Sequence, residues 1–275
     1  MNYISILLLF FVISCSHKEK LPEVRPTPTP TPVVIDLKEV VDCQGATIKG
    51  PVKVHNKDGY IIRNCKIVGY KGSGDPTGID VRKSKNVLIE NNDISEIKSS
   101  ANAHGILVHH SKGIKILNNK LHDLELGKSE AISMHGEDFL IEGNEIWNHN
   151  NIGIDVMGCE GDGPGKNGKV YRNHVHAQKN GKRHAAGIYC DCCFQVEFSY
   201  NTVDGAEMGI EISSEKSTPS KDVKVMGNTL KNNRVVGLKV GAGAGVKQCF
   251  LYDNTFYGNK KDYIDEGASD CVAPR

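Results

Sequence analysis

The chain has 275 residues, with 34 Lys and Arg against 33 Asp and Glu, so no global field draws it to nucleic acid or to an anionic membrane. Aromatic residues make up only 6% while Gly occurs 29 times, which suits thin stacked layers better than a helical bundle or a sandwich. No basic run is present, and nucleic acid is excluded as a charge-driven partner.

The N-terminus reads as a leader over residues 1–15. Its apolar run, 4–13, is too short to span a bilayer comfortably and ends in Val12-Ile13-Ser14-Cys15. That ending resembles the lipobox of bacterial lipoproteins, although no Lys or Arg precedes the run. The resemblance implies that Cys15 becomes the acylated first residue, placing the chain on a lipid membrane of the bacterial envelope. Ser16 after it implies the outer membrane. An ordinary secretory signal is the alternative. Residues 16–33 follow as a Pro/Thr-rich tether, and Pro26-Thr27-Pro28-Thr29-Pro30-Thr31-Pro32 is expected to be polyproline II, at roughly 3.1 Å per residue. The remaining domain is 34–275.

Within that domain a short phrase returns seven times, at 78–81, 105–108, 131–134, 153–156, 187–190, 209–212 and 237–240, mostly as Gly-Ile-x-Val. A second phrase follows each copy and ends in Asn, one variable residue and an aliphatic or Phe. Its asparagines are Asn92, Asn119, Asn144, Asn173, Asn201, Asn228 and Asn254. Two short period-two segments every 22 to 34 residues predict a stacked β-solenoid, with the asparagines forming an internal ladder and Cys65 replacing the first of them. A capping turn is expected at 42–48, and loop insertions at 158–169, 176–184 and 213–222. The two phrases resemble the right-handed parallel β-helix superfamily of pectate lyases, which implies an all-β fold of about seven regular rungs plus an N-terminal cap. The stretches 153–161, 187–191 and 209–215 resemble bacterial β-helix repeat proteins of unassigned activity.

Beyond Cys15 eight cysteines remain, an even number that fits disulfides in an oxidising compartment. The register sets Cys159 opposite Cys193, Cys43 and Cys65 in the first two rungs, and Cys249 and Cys271 in the last rung and tail. Cys190 points inward with Cys192 near it. A zinc site from Cys190, Asp191, Cys192 and Cys193 is the alternative, without a CxxC spacing.

The register also assigns two outward columns. One is Asp80, Leu107, Ser133, Asp155, Tyr189, Glu211 and Lys239. The other is Arg82, His109, His135, Met157, Asp191, Ser213 and Gly241. Adjacent rungs lie roughly 4.8 Å apart, so Asp155, Tyr189, Asp191 and Glu211 share one patch with Lys239 at its edge and Glu130 above. Crowded carboxylates repel, which calls for a proton or a cation, and Glu130, Asp155, Asp191 and Glu211 form an oxygen set suited to Ca²⁺. Such a patch fits a polysaccharide partner. Cleavage by β-elimination needs a base, which His135, Tyr189 or Lys239 would supply, and a cation to neutralise the sugar carboxylate. Hydrolysis needs two carboxyl groups roughly 5–9.5 Å apart, from Asp155, Asp191 and Glu211. Arg82, His109 and Tyr189 are candidate substrate contacts, Tyr189 by stacking on a sugar ring.

Glu130-Ala131-Ile132-Ser133-Met134-His135 resembles the E-x-I-S-x-K motif of the chondroitinase B and alginate lyase family, which implies a calcium-binding Glu130 and a base at position 135. Here His135 stands in place of Lys, and the Arg expected one rung on falls at Met157. Thr77-Gly78-Ile79-Asp80 resembles the opening of polygalacturonases, but their Gly-Asp-Asp, Gly-His-Gly and Arg-Ile-Lys motifs are absent and that activity is excluded. Two alternatives stand beside polysaccharide cleavage by a lyase or glycoside hydrolase. One is a non-catalytic carbohydrate-binding or envelope protein. The other is a periplasmic metal-binding protein using His104, His109, His110 and His135.

Overall fold

In the computed structural model, which describes residues 40–69, 75–161, 163–179 and 185–272, every strand pairs in parallel with the equivalent strand one turn away. Cys15, the tether and part of the 176–184 insertion lie outside these residues. Each turn of the right-handed coil contributes one strand to each of three sheets. The first sheet runs from Val40–Asp42 to Val246–Tyr252, the second from Thr47–Lys49 to Thr255–Tyr257, and the third from Val52–His55 to Tyr263–Asp265. The seven Gly-Ile phrases are the seven middle strands of the third sheet, with one irregular strand beyond them at either end. The expected capping turn is already a coil, since Thr47–Lys49 pairs with Lys66–Val68.

Alternation explains the core. Ile79, Val81, Ile106, Val108, Ile132, Met134, Ile154, Val156, Ile188, Ile210 and Ile212 all point inward and are fully buried. Aliphatic side chains stack on their own copies one rung away, giving a narrow core that thin β-branched residues fill well. At the corner between the first and second sheets the chain turns through one left-handed residue, such as Asn118 (φ 53°) or Gly143 (φ 67°). A Cβ at Gly143 would meet Asn118 Oδ1 at 2.4 Å, so a side chain here would have to displace the Asn118 amide as well as adopt a left-handed backbone.

The ladder asparagine follows that corner. Asn92 Nδ2 donates to Asn119 Oδ1 (2.9 Å), Asn119 to Asn144 (3.0 Å), Asn144 to Asn173 (2.9 Å) and Asn173 to Asn201 (3.0 Å), continuing to Asn254. The second amide hydrogen goes to a backbone carbonyl one turn back, as from Asn173 to Ile141 O (2.9 Å). The buried asparagine amides at this corner are thereby paired on both oxygen and nitrogen. The ladder ends at Cys65, whose N–H donates to Asn92 Oδ1 and whose sulfur is joined to Cys43.

His149 is a polar exception in the interior. It is fully buried at the end of Glu145–His149, and burial pushes its imidazole down to about 4. The unfolded chain binds this proton below about pH 6.5. The neutral ring therefore contributes stability that is complete above that pH and is lost as pH falls toward 4. The loss should reach about 3 kcal/mol. Denaturant unfolding between pH 7 and 4 should show it in the native protein and show less of it in His149→Phe.

Two disulfides follow the expected pairs, Cys43–Cys65 and Cys249–Cys271, but the expected Cys159–Cys193 pair is replaced by Cys159–Cys192 and Cys190–Cys193. Strand pairing stops at Met157 opposite Asp191, and Cys192 turns the next corner in a left-handed conformation (φ 55°). That turn breaks strict alternation. Cys193 then faces the core, where it reaches Cys190, and Cys192 is left beside Cys159. The same bonds consume the sulfurs of the alternative zinc site.

Two insertions are shorter than expected. Lys166–Tyr171 and Ser220–Met226 already belong to the first sheet, leaving loops at 158–165 and 215–219.

Candidate functional site

The first outward column is continuous. Lys53, Asp80, Leu107, Ser133, Asp155, Tyr189, Glu211, Lys239 and Ile264 stand in register across the third sheet. The second is broken into pieces. His55, Arg82, His109 and His135 align, and Met157, Asp191 and Ser213 align. Ala242, not Gly241, follows Ser213, because Gly241 (φ 105°) forms a bulge in its strand.

The middle of this face is closed rather than open. Ser133, Asp155, Asp191 and Ser213 are at most 3% exposed, and Glu130, His135, Tyr189 and Glu211 at most 9%. Two loops meet above them, where Lys216 Nζ donates to Glu160 O (3.2 Å). Gly163 lies against the His135 backbone, its missing Cβ 2.9 Å from that carbonyl oxygen. The expected wall at 176–184 is not part of this closure among the described residues.

Asp155 is the most unusual group here. It is 0% exposed, and neither carboxyl oxygen has a hydrogen-bond partner. Burial, and then the Glu130, Asp191, Glu215 and Glu211 carboxylates, push its carboxyl well above the ordinary range. The neighbours are better supplied. Asp191 Oδ1 accepts the Glu215 N–H (2.8 Å), Ser133 Oγ lies 2.9 Å from His135 Nε2, and Glu130 Oε2 is 3.5 Å from His104 Nδ1.

Beside the closed cluster an open cleft of about 270 Å³ is lined by Tyr189, Glu211, Ser213, Glu215 and Lys239. The Tyr189 hydroxyl is 2.7 Å from Ser213 Oγ and donates to Glu215 Oε1 (3.4 Å). Burial and the Asp191 charge push this phenol far up, so it holds its proton. Its ring packs with Ala186, Met208 and Val236, so the expected stacking face is covered. The sequence showed Tyr189 as outward but not that the neighbouring strands carry apolar residues there too. Lys239 Nζ sits 3.3 Å from both Glu211 Oε1 and Glu266 Oε2. Burial would lower the ammonium, but these carboxylates outweigh it and raise it, so Lys239 is a fixed cation rather than a base. Burial raises Glu211, with Lys239 opposing.

The remaining candidates stand apart. Arg82 Nε donates to Asp80 Oδ1 (2.8 Å), whose other oxygen meets His55 Nε2 (3.0 Å), two strands above His135. His109 lies against His110 and His135, with ring centroids at 4.1 and 5.2 Å. The four-histidine set does not converge. His104 is five residues up the strand from His109, roughly 16 Å away. His110 is turned aside by its left-handed backbone (φ 48°). Glu215, Glu266, Lys216 and Glu160 were not foreseen. They sit in loops or the C-terminal tail, where period-two register gives no address.

A larger hollow of about 460 Å³ lies on the first sheet around Lys169, Glu197 and Lys224. Its Glu197 is already neutralised by Lys169 at 2.8 Å, so the unresolved chemistry stays at Asp155.

Comparison with known proteins agrees with this architecture. A Bacillus subtilis (strain 168) protein, the uncharacterised YwoF, is 31% identical over 155 residues, which is 50% of this chain and 33% of that protein. The matched part therefore spans about a third of that relative. The alginate lyase of Paenibacillus sp. str. FPU-7 has a similar fold, with a TM-score of 0.57 at 14% identity over 84% of this chain and 85% of that one. So does PfbA, a surface adhesin of Streptococcus pneumoniae, with a TM-score of 0.54 at 14% identity over 79% of this chain and 60% of that one. The model of the right-handed β-helix region matches residues 50–221, well over half of the sequence, and the chain belongs to that family.

Proposed function

We propose that this protein binds and cleaves a polysaccharide in the Tyr189–Glu211–Lys239 cleft, with a cation such as Ca²⁺ held at Asp155 beneath it. The carrying observation is Asp155. A carboxyl with two unpartnered oxygens, sealed among four other acids, opposes folding, and a cation would satisfy it. That cation would also offset the negative field that otherwise repels an acidic sugar. Lys239 adds a second positive centre at the cleft edge. In a β-elimination the proton beside the sugar carboxylate passes to a base, the glycosidic C–O bond breaks, and the leaving oxygen takes a proton. Tyr189 holds its proton and is the donor; Glu211, on the adjacent strand and lining the same cleft, is the acceptor. The likeness to an alginate lyase supports this reading through fold alone.

The protein is incubated with a panel of acidic and neutral glycans. Unsaturated products detected by ultraviolet absorbance mean elimination, and new reducing ends without them mean hydrolysis. Tyr189→Phe is expected to lower turnover by about 10²–10⁴ with polymer binding retained. Absence of both cleavage and binding would end the proposal. Binding without cleavage would favour a second reading, a binding module like an adhesin. The closed loops over Asp155 and the likeness to PfbA support that reading.

The protein is further proposed to sit outside the cytoplasm, anchored to the envelope through acylated Cys15. Eight cysteines paired in four disulfides support an oxidising compartment. Among the described residues no helix is long and apolar enough to cross a membrane. Cys15→Ser is expected to move the protein from the detergent phase to the aqueous phase in phase partition; unchanged partition would discard the anchor.

A further inference from the structure

The outer face of the second sheet carries a cluster unrelated to the acidic cleft. Glu145 and His174 are directly opposite one another on adjacent strands, and Trp147 and His176 are the next outward pair. His174 and His176 stack at 4.3 Å and 21°. Trp147 stacks on His122 at 4.4 Å and 11°, and on the other side lies nearly parallel to His176 at 6.0 Å. His122 is itself fixed by Asp123 (2.7 Å) and Asp93 (2.9 Å). The stacked imidazoles of His174 and His176 lie side by side, so one ring turns about its side-chain bonds for both to reach a shared ion.

We propose that Glu145, His174 and His176 form a divalent transition-metal site of the zinc type, with the fourth position open to water. The three donor atoms lie within 4.8 Å of one another. Zinc bonds of about 2.0–2.1 Å in a tetrahedron set neighbouring donors roughly 3.3–3.4 Å apart. His176 Nε2 and Glu145 Oε1 are already 3.3 Å apart. Two imidazoles and one carboxylate suit zinc better than Ca²⁺, which prefers an all-oxygen set. Asp204, opposite His176, is taken by Lys231 (3.0 Å) and Asn232 (2.9 Å) and is not counted as a ligand. All three ligands come from strands, which fixes their spacing more firmly than loops would.

The test uses the full chain without a histidine tag, stripped with chelator and dialysed. Zinc chloride is titrated calorimetrically, and cobalt chloride gives the visible bands of a tetrahedral site. Trp147, the chain's only Trp, should lose emission as Cu²⁺ or Co²⁺ binds beside it. One zinc per chain is expected, with affinity falling more in His174→Ala, His176→Ala and Glu145→Gln than the roughly 10–100-fold typical of losing an outer partner. His55→Ala, on the third sheet and paired with Asp80, should change nothing. Far-UV circular dichroism confirms that each variant is folded. No saturable binding by the unaltered protein, which would mean a hydrogen-bonded His–Glu pair only, overturns the proposal. So does equal affinity in the folded double variant His174→Ala/His176→Ala.

Discussion

Asp155→Asn is expected to give a more stable protein that lacks the polysaccharide cleavage proposed above. The native carboxyl is sealed from water, has no partner, and lies in the field of Glu130, Asp191, Glu215 and Glu211. Without a cation the folded state must keep a proton there that the unfolded chain releases above pH ~4. Folding then takes up a proton, and stability falls as pH rises from that value toward the raised value of the folded state. An amide keeps the shape and removes the charge, so the variant's stability should be higher at pH 7 and flatter with pH. A gain of about 1 kcal/mol is read as roughly 2–4 °C in Tm for a domain of this size. Calcium should reverse the order. A cation bound only by the folded native protein adds about 2.7 kcal/mol at a hundred times its Kd, and the variant should gain little. Thermal unfolding at pH 5, 7 and 8, with chelator and with calcium, checks both parts. A variant less stable than the native protein under chelator would show that Asp155 has a structural partner. A native protein indifferent to calcium would remove the cation from the proposed site.

The site was legible to the extent that it lies on regular strands. Asp155, Tyr189 and Glu211 have addresses because the Gly-Ile-x phrase returns at 153–156, 187–190 and 209–212 despite the insertions between copies, and the structure sets them in one column. Arg82 and Lys239 were correctly placed on the face, but their roles depend on Asp80 and Glu266, neighbours that register alone does not rank by distance. The errors gather where alternation fails. Cys192 at a left-handed corner changed a disulfide partner, and the Gly241 bulge replaced one column member by Ala242. Closure of the face was illegible for a related reason. The contact of Lys216 with Glu160 joins two loops 56 residues apart, and no periodic pattern relates them. The pairing of Glu145 with His174 obeys the same register as the acidic column, but it lies on a sheet whose outward face was not mapped.

Asn173→Ala should be among the most destabilising substitutions in the chain, although Asn173 lies far from any reacting group. Its Oδ1 accepts from both the Asn144 N–H (3.0 Å) and Asn144 Nδ2 (2.9 Å). Its Nδ2 donates to Ile141 O and Asn201 Oδ1. Asn144, Asn173 and Asn201 are at most 1% exposed, so water cannot replace what is lost. Truncation leaves the Asn144 N–H and the Ile141 carbonyl without these partners, and a small cavity remains. At roughly 1–3 kcal/mol for each of the two stranded groups, the total is about 2–6 kcal/mol. Asn254 is the control. It ends the ladder and is partly exposed, so water can take over its hydrogen bonds and Asn254→Ala should cost about 1 kcal/mol. Urea unfolding of the two variants measures the difference directly. Equal losses would mean that the ladder's contribution is local backbone geometry rather than hydrogen bonding. A much larger loss at Asn173 would mean that each rung depends on a polar column as much as on its aliphatic core. In a solenoid, where each turn contacts only its neighbours, a break at that rung also divides the stack. The strands on either side of it, Ile154–Met157 and Ala186–Asp191, are those that carry Asp155, Tyr189 and Asp191. Asn173→Ala should therefore weaken the proposed calcium binding as well, even though it removes no ligand.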